Sequence, residues 1–446
     1  MFKIKRFVGG VHPDDLKRYT EHKEIENAPL PDKVIIPMRQ HIGAPCTPIV
    51  QKGDVVKKGQ VIAKSDAYVS GNIHASISGT VVDFGEYSHP VFGRCPSLVI
   101  ENDGKDEWAD GLPFDRDWVG LDNNELLNII RDAGIVGMGG ATFPTHVKLS
   151  PPDDKKIDTF ILNAAECEPY LTADHRLMLE HMDCIVTGVK IAMKILGVEN
   201  AYIGIEDNKL DAINSMSEAF NGTNVKVVSI PTKYPQGAEK VLIKRLLGRE
   251  VPSGQLPMDV GVVVQNVGTI VAITNAVTKG IPLIERVVTV SGRSVKEPKN
   301  LMLRVGSSFK FAIDCCGGLV KSPEKIIMGG PMMGIAQSSM DVPIVKGVSG
   351  ILCLSKQDVH PGKESTCIHC TRCVQGCPMG LNPSMLSKLG QNNLYQEAKE
   401  EFNLFDCVEC GSCVFICPAH RNIVQYIRYM KAMNAAEANK NKGDSK

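Results

Sequence analysis

Hydrophobic and polar positions change rhythm several times along the chain. Residues 1–28 are mostly polar, and this pattern predicts a segment that wraps the surface. Over 29–105, β-branched residues alternate with Lys-Gly and Gly-Asp turns, as in "PIVQKGDVVKKGQVIAKS" and "GNIHASISGTVVDF". Period-two alternation between close turns predicts an all-β domain. Over 115–285 the period lengthens. "NNELLNIIRDAGI" sets Leu126, Leu127, Ile130 and Ala133 on one helical face and closes with Gly134. Strands at 157–164, 201–206 and 225–230 then alternate with helices at 176–197 and 209–220. That alternation predicts a parallel sheet covered by helices. Residues 286–352 return to short strands and glycine turns, "RVVTVSG" and "KIIMGGPMMG". Residues 360–425 hold closely spaced cysteines and two helix-like stretches. The tail, 426–446, ends "NAAEANKNKGDSK" and is predicted to be disordered. The most apolar stretch, "VGVVVQNVGTIVAITNAV" at 260–277, is interrupted by Gln265, Asn266 and Asn275. It reads as a buried strand and helix, not a membrane span.

Composition narrows the function classes. Lys+Arg and Asp+Glu are balanced at 50 each, and aromatics make up only 5%. That gives neither the basic surface nor the stacking side chains of a nucleic-acid partner. Of 15 cysteines, Cys46, Cys95, Cys167, Cys184, Cys315, Cys316 and Cys353 are scattered. "MFKIKRFVGGVHP" lacks the apolar core of a secretion signal, so a reducing, cytosolic setting is expected.

The other cysteines form two copies of C-x2-C-x2-C-x3-C-P: "CIHCTRCVQGCP" at 367–378 and "CVECGSCVFICP" at 407–418. That spacing wraps three thiolates around a cubane, and in two-cluster ferredoxins the fourth cysteine ligates the other cluster. Cys367, Cys370, Cys373 and Cys417 are therefore assigned to one [4Fe-4S] cluster, and Cys407, Cys410, Cys413 and Cys377 to a second. Zinc favours spaced C-x2-C pairs instead. "PSMLSKLGQ" and "NLYQEAKEEF" lie between the runs, which points to a helical ferredoxin-like domain.

A glycine-rich stretch, "GIVGMGGATFPTHVK" at 134–148, lets backbone N–H groups of Gly137, Gly139 and Gly140 approach a phosphate, with Lys148 adding charge. It is neither a P-loop nor the G-x-G-x-x-G fingerprint, and alone it fits a tight turn equally well. "NAAECEP" at 163–169 follows a strand, where open α/β sheets bind ligands. "YPQGAEK" at 234–240 and "VQNVGT" at 264–269 add a carboxylate, amides and a hydroxyl.

In this order the motifs resemble the flavin-binding subunit of respiratory complex I, which carries G-x-G-G-A-G-F-P-x-G-x-K, N-A-D-E-x-E-P, G-E-E and N-N-V-E-T. The resemblance implies a Rossmann-like flavin and nucleotide domain, a β-grasp module and a helical cluster domain. It implies FMN contacts from Gly137, Gly139, Gly140, Lys148, Asn163, Glu166, Gly237, Asn266 and Thr269. It also implies an NAD(H) site formed by Phe143, Glu168 and Glu239. The chain departs from the pattern at Thr142, His146, Ala165, Ala238 and Gln265. Residues 29–105 resemble the biotinyl/lipoyl barrel-sandwich hybrid. No lysine occurs between Lys64 and Lys105 to carry a swinging arm, so a structural or docking role is expected.

"FVGGVHP" (7–13), the hybrid barrel, "NAAECEPYLTADHR", "GGPMMG" (329–334) and the doubled cysteine runs together resemble the RnfC family of the Rnf electron-transport complex. This resemblance implies a multidomain α/β protein on the cytoplasmic side of the cell membrane, peripheral and without its own membrane span. Its implied partners are the other subunits of an ion-translocating complex. A flavin would join the electron pair of NAD(H) to the single electrons of the clusters. Cobalamin-reductase subunits share the flavin and cluster modules but lack the leading segment. A non-catalytic relay subunit is the other reading.

Overall fold

A computed structural model of the protein describes residues 7–359 and 362–443; 1–6, 360–361 and 444–446 fall outside it. Among the described residues the strands build two small antiparallel sheets, one parallel sheet and one mixed sheet.

The first domain is the predicted all-β unit. Gly79–His89 and Gly93–Asn102 form its long hairpin, flanked by Lys33–Pro37 and Val55–Val56. Thr47–Pro48, Val61–Lys64 and Ile73–His74 form the facing sheet. Alternate residues (Val34, Ile36, Ile62, Ile73, Val81, Leu98, Ile100) point inward and fill the space between them.

The second domain is a parallel sheet in the spatial order Val225–Ile230, Asn200–Glu206, Thr159–Ala164, Val262–Asn266. The first helix, Asn123–Asp132, starts on a reciprocal cap: Glu125 N–H donates to Asp122, and Asp122 N–H to the Glu125 carboxylate. The single helix predicted at 176–197 is two helices, Ala173–Glu180 and Met182–Leu196, broken at His181. The break lets Met182–Leu196 settle on Val267–Lys279. There a Cβ on Gly188 would stand 2.6 Å from the Ile270 side chain, its carbonyl and the Thr274 hydroxyl. Nothing larger than hydrogen fits at that crossing.

The mixed sheet runs Ile25–Asn27, Lys299–Arg304, Glu285–Ser291, Gly350–Leu354, Lys325–Met328, Ile335–Gln337. It includes a helix, Phe309–Cys315, that the glycine-turn pattern did not predict; Ser308 caps it by accepting from Phe311 N–H. Its edge strand comes from the N-terminal segment. Over its described residues, from 7 on, that segment does more than wrap the surface: Phe7, Val11 and Lys17 are buried and Ile25–Asn27 pairs with residues 300–302.

The cysteine runs sit in a helical domain with Pro383–Gln391 and Tyr395–Glu400. The tail read as disordered, 426–446, is over its described part a helix, Ile423–Gly443; 444–446 lie outside the described residues. Ile423, Val424, Ile427 and Met430 bury one face of it in the cluster domain, and Tyr395 O–H donates to Glu437 further along.

Candidate functional site

Asn163 and Asn266 are register partners at the carboxyl ends of adjacent parallel strands. Sheet pairing thus brings together two motifs about a hundred residues apart. Asn266 caps the helix Val267–Lys279, accepting from Gly268 and Thr269 N–H. Its amide donates to Asp174 at 2.6 Å. The glycine loop folds over this cap: Met138 N–H donates to the Thr269 hydroxyl at 2.9 Å. A Cβ on Gly139 would stand 2.7 Å from the Asn266 side chain, so glycine is required there. Asn163 donates to the Gly237 carbonyl at 2.8 Å. Glu166, in the left-handed conformation at φ +47°, accepts from Asp174 and His175 N–H at the start of Ala173–Glu180. Of the residues expected to contact FMN, these hydrogen bonds and close approaches link Gly139, Asn266, Thr269, Asn163, Gly237 and Glu166, and Gly137 and Gly140 lie on the same loop as Gly139.

Lys148 lies at the end of the short helix Thr145–Lys148 and pairs with Glu239 at 2.5 Å. A predicted phosphate cation and a predicted nucleotide carboxylate are therefore neighbours. Phe143 is half-buried, and its carbonyl accepts from Gly137 N–H at 2.9 Å, closing the loop. Glu168 goes elsewhere. Its buried carboxylate accepts from Met332 and Met333 N–H at 3.1 and 2.9 Å, and Tyr234 O–H is 3.2 Å away. It ties the site to the "GGPMMG" turn, and burial raises its pKa above the usual carboxylate range.

The departures from the resembled pattern have structural readings. Thr142 takes the left-handed backbone, φ +54°, that glycine adopts readily, and its methyl packs on Gly347. The His146 ring lies against the barrel loop between Val61–Lys64 and Ile73–His74, with the Tyr68 carbonyl 3.0 Å from its Nε2.

Several residues at the site escaped the sequence reading. Asp174 is pushed up to about 7 by burial, with the Glu166 carboxylate adding to the shift. The Lys17 ammonium is buried and donates to the carbonyls of Glu166, Glu168 and Leu171. Lys209 holds the Ala165 carbonyl at 2.8 Å. Arg286, buried behind the glycine loop, donates to the carbonyls of Met138 and Lys346. Lysines buried on carbonyls carry no motif; only "NAAECEPYLTADHR" offered a signal, for Asp174.

Among the described residues no three or more His, Cys, Asp or Glu converge closely enough to hold a metal ion. The cysteines instead rim cavities. One, of about 180 Å³, is lined by Cys367, Cys370, Cys373 and Cys417. A tighter one, of about 20 Å³, is lined by Cys377, Cys407, Cys410 and Cys413. Each thus collects three cysteines of one run and the fourth of the other, a donor set suited to a cubane. Burial pushes the Cys407 thiol up to about 11, against the pull of the Lys431 ammonium. The second cavity adjoins the flavin-side loops. Tyr234 O–H donates to the Cys410 carbonyl at 2.7 Å, and Val11, Cys167, Tyr234, Met332 and Cys410 share one apolar cluster. The first cavity faces outward, with Cys370 and Ile368 exposed.

Known families match four stretches of the chain: the RnfC barrel sandwich hybrid domain at 5–105, the Nuo51 FMN-binding domain at 130–275, the SLBB domain at 287–336 and the 4Fe-4S dicluster domain at 362–418. The C component of the proton-translocating ferredoxin:NAD(+) oxidoreductase complex of Clostridium ljungdahlii is 67% identical over 98% of this chain and 96% of its own. The chain belongs to the RnfC family. The Na(+)-translocating counterpart from Acetobacterium woodii is 47% identical over 97% of this chain and 98% of its own length. The C component of the ion-translocating oxidoreductase complex of Rhodobacter capsulatus is 44% identical over 85% and 74%. The glycine loop, both asparagines and Gly237 all lie inside the FMN-binding match, and both cysteine runs inside the dicluster match. No described helix is long and apolar enough to cross a membrane.

Proposed function

We propose that this chain is the subunit through which an ion-translocating ferredoxin:NAD(+) oxidoreductase complex exchanges electrons with NAD(H), using one FMN and two [4Fe-4S] clusters. When bound, the flavin supplies the exchange between a hydride and single electrons, and the clusters carry those electrons one at a time. The observation that carries this reading is the Tyr234–Cys410 hydrogen bond. It joins the loop that leads into Gly237 directly to a cysteine of the tighter cavity.

The residues divide the work. Gly137, Gly139 and Gly140, with Lys148, would cradle the FMN phosphate. Asn163, Glu166, Gly237, Asn266 and Thr269 would hold the rest of the cofactor. Phe143 and Glu239 would seat the dinucleotide. The Lys148–Glu239 pair supports this, since an incoming phosphate would compete for the lysine and free the carboxylate. Glu168, predicted for the same nucleotide site, is held by the Met332–Met333 turn and would act through that junction. Cys377, Cys407, Cys410 and Cys413 would hold the cluster nearest the flavin. Cys367, Cys370, Cys373 and Cys417 would hold the outer one, where exposed Cys370 offers an exit to another subunit. The chain would sit peripherally on the cytoplasmic side of the membrane, with the hybrid barrel as a docking or structural unit.

Gly139→Val tests the assignment. The added side chain collides with the Asn266 cap, so FMN affinity should fall by about tenfold or more, ~1.4 kcal/mol, while iron content stays at the wild-type level. Full flavin retention in that variant would contradict the proposed cradle.

A further inference from the structure

The motif "FVGGVHP" has no part in the scheme above, yet it lies between the two redox domains. Phe7 is buried, with the Lys233 ammonium 4.5 Å from its ring centroid. Gly10 N–H donates to the Gly376 carbonyl at 2.9 Å. Val11 and Tyr234 exchange both backbone hydrogen bonds, at 2.8 and 3.0 Å. Further on, the Asp15 carbonyl accepts from Tyr170 N–H at 2.7 Å, and Lys17 binds the carbonyls of Glu166, Glu168 and Leu171. The Thr20 and Thr172 hydroxyls meet at 2.7 Å.

These contacts fall on the loops given redox roles above. Gly376 precedes Cys377, the cysteine that crosses to the tighter cavity. Tyr234 opens the loop to Gly237 and binds Cys410. Glu166 belongs to the flavin side. Two glycines are required where the strap meets both domains. Gly9 and Gly10 have φ +76° and +78°, a region side chains rarely enter. A Cβ on Gly9 would stand 2.4 Å from the Cys377 carbonyl oxygen, and one on Gly10 2.6 Å from that of Tyr234.

We infer that residues 7–20 are a clasp that fixes the gap between the flavin site and the Cys377, Cys407, Cys410, Cys413 cluster, with Gly9 and Gly10 as positioning residues. The inference rests on the flavin-to-cluster transfer proposed above. NADH gives up a hydride; its two electrons leave singly through the clusters and its proton goes to water. Hydride transfer depends on the pocket alone, whereas single-electron transfer falls steeply as donor and acceptor separate. A clasp loosened at its Phe7–Gly10 end, away from Lys17 and Glu166, therefore slows the second step and spares the first.

The test is anaerobic rapid mixing of the holoprotein with NADH, following flavin absorbance and cluster bleaching separately, with electron paramagnetic resonance of the reduced clusters. Gly10→Val strains the clasp; Phe7→Ala removes its anchor without straining the backbone and decides the matter if Gly10→Val does not fold. Flavin reduction should stay within about twofold of wild type and cluster reduction should slow by about tenfold or more, at unchanged iron and flavin content. Unchanged rates for both steps in the folded variants, or equal loss of both, would overturn the clasp. Wild-type protein that contains flavin which NADH does not reduce would instead overturn the functional reading beneath it.

Discussion

Asp174 sits where a carboxylate is hard to keep charged. It is packed beside the Glu166 carboxylate, which together with burial raises it to about 7; Arg286, Lys17 and the Asn266 amide pull the other way. Below the ordinary value of 3.8 both folded and unfolded chains hold the proton. Between about 3.8 and about 7 only the folded chain holds it, so this group's contribution to stability is lost as pH rises through that window. Asp174→Asn should flatten the fall in melting temperature over that range, as measured by thermal denaturation against pH. An unchanged slope would remove Asp174 as its source. Thr142 illustrates a different residue-scale cost. A β-branched residue at positive φ is strained, and the strain is borne beside the ligand loop, where such outliers concentrate.

At the scale of elements, the crossing at Gly188 decides how firmly Asn266 is placed, because the helix it caps lies on Met182–Leu196. Gly188→Ala overpacks that crossing and should cost about 1–3 kcal/mol in denaturant unfolding. A neutral substitution would mean that the two helices are not held at this separation. Much of this layer was legible. The strands expected at 157–164, 201–206 and 225–230 from alternation with helices, and the strand expected within the apolar stretch 260–277, appear at 159–164, 200–206, 225–230 and 262–266, because burial on both faces gives parallel strands continuous apolar runs. The break at His181 was not legible, since apolar spacing continues across it. Phe309–Cys315 is too short for its period to stand out among glycines. The helix Ile423–Gly443 has a polar composition that hid the one face, Ile423 to Met430, that packs.

At the scale of the molecule, the candidate site is assembled from segments that only the fold brings together. That each cavity is lined by three cysteines of one run and the fourth of the other follows from the spacing within each run and the crossing of the fourth cysteine, so this grouping was legible. The flavin-side motifs were legible through their order along the chain. The junction was not. Lys17 meets Glu166 across 149 positions and Tyr234 meets Cys410 across 176, and neither pairing leaves a periodic or local trace. Glu168 marks the same limit: its motif pointed to a nucleotide, whereas its carboxylate is held by the Met332–Met333 turn. The most direct measurement is anaerobic titration of the purified chain with NADH, after its flavin and iron have been quantified. The account predicts one FMN and iron sufficient for two cubanes per chain, with the flavin absorbance bleached before that of the clusters. Full iron with no flavin, or clusters that stay oxidised while flavin is reduced, would contradict it.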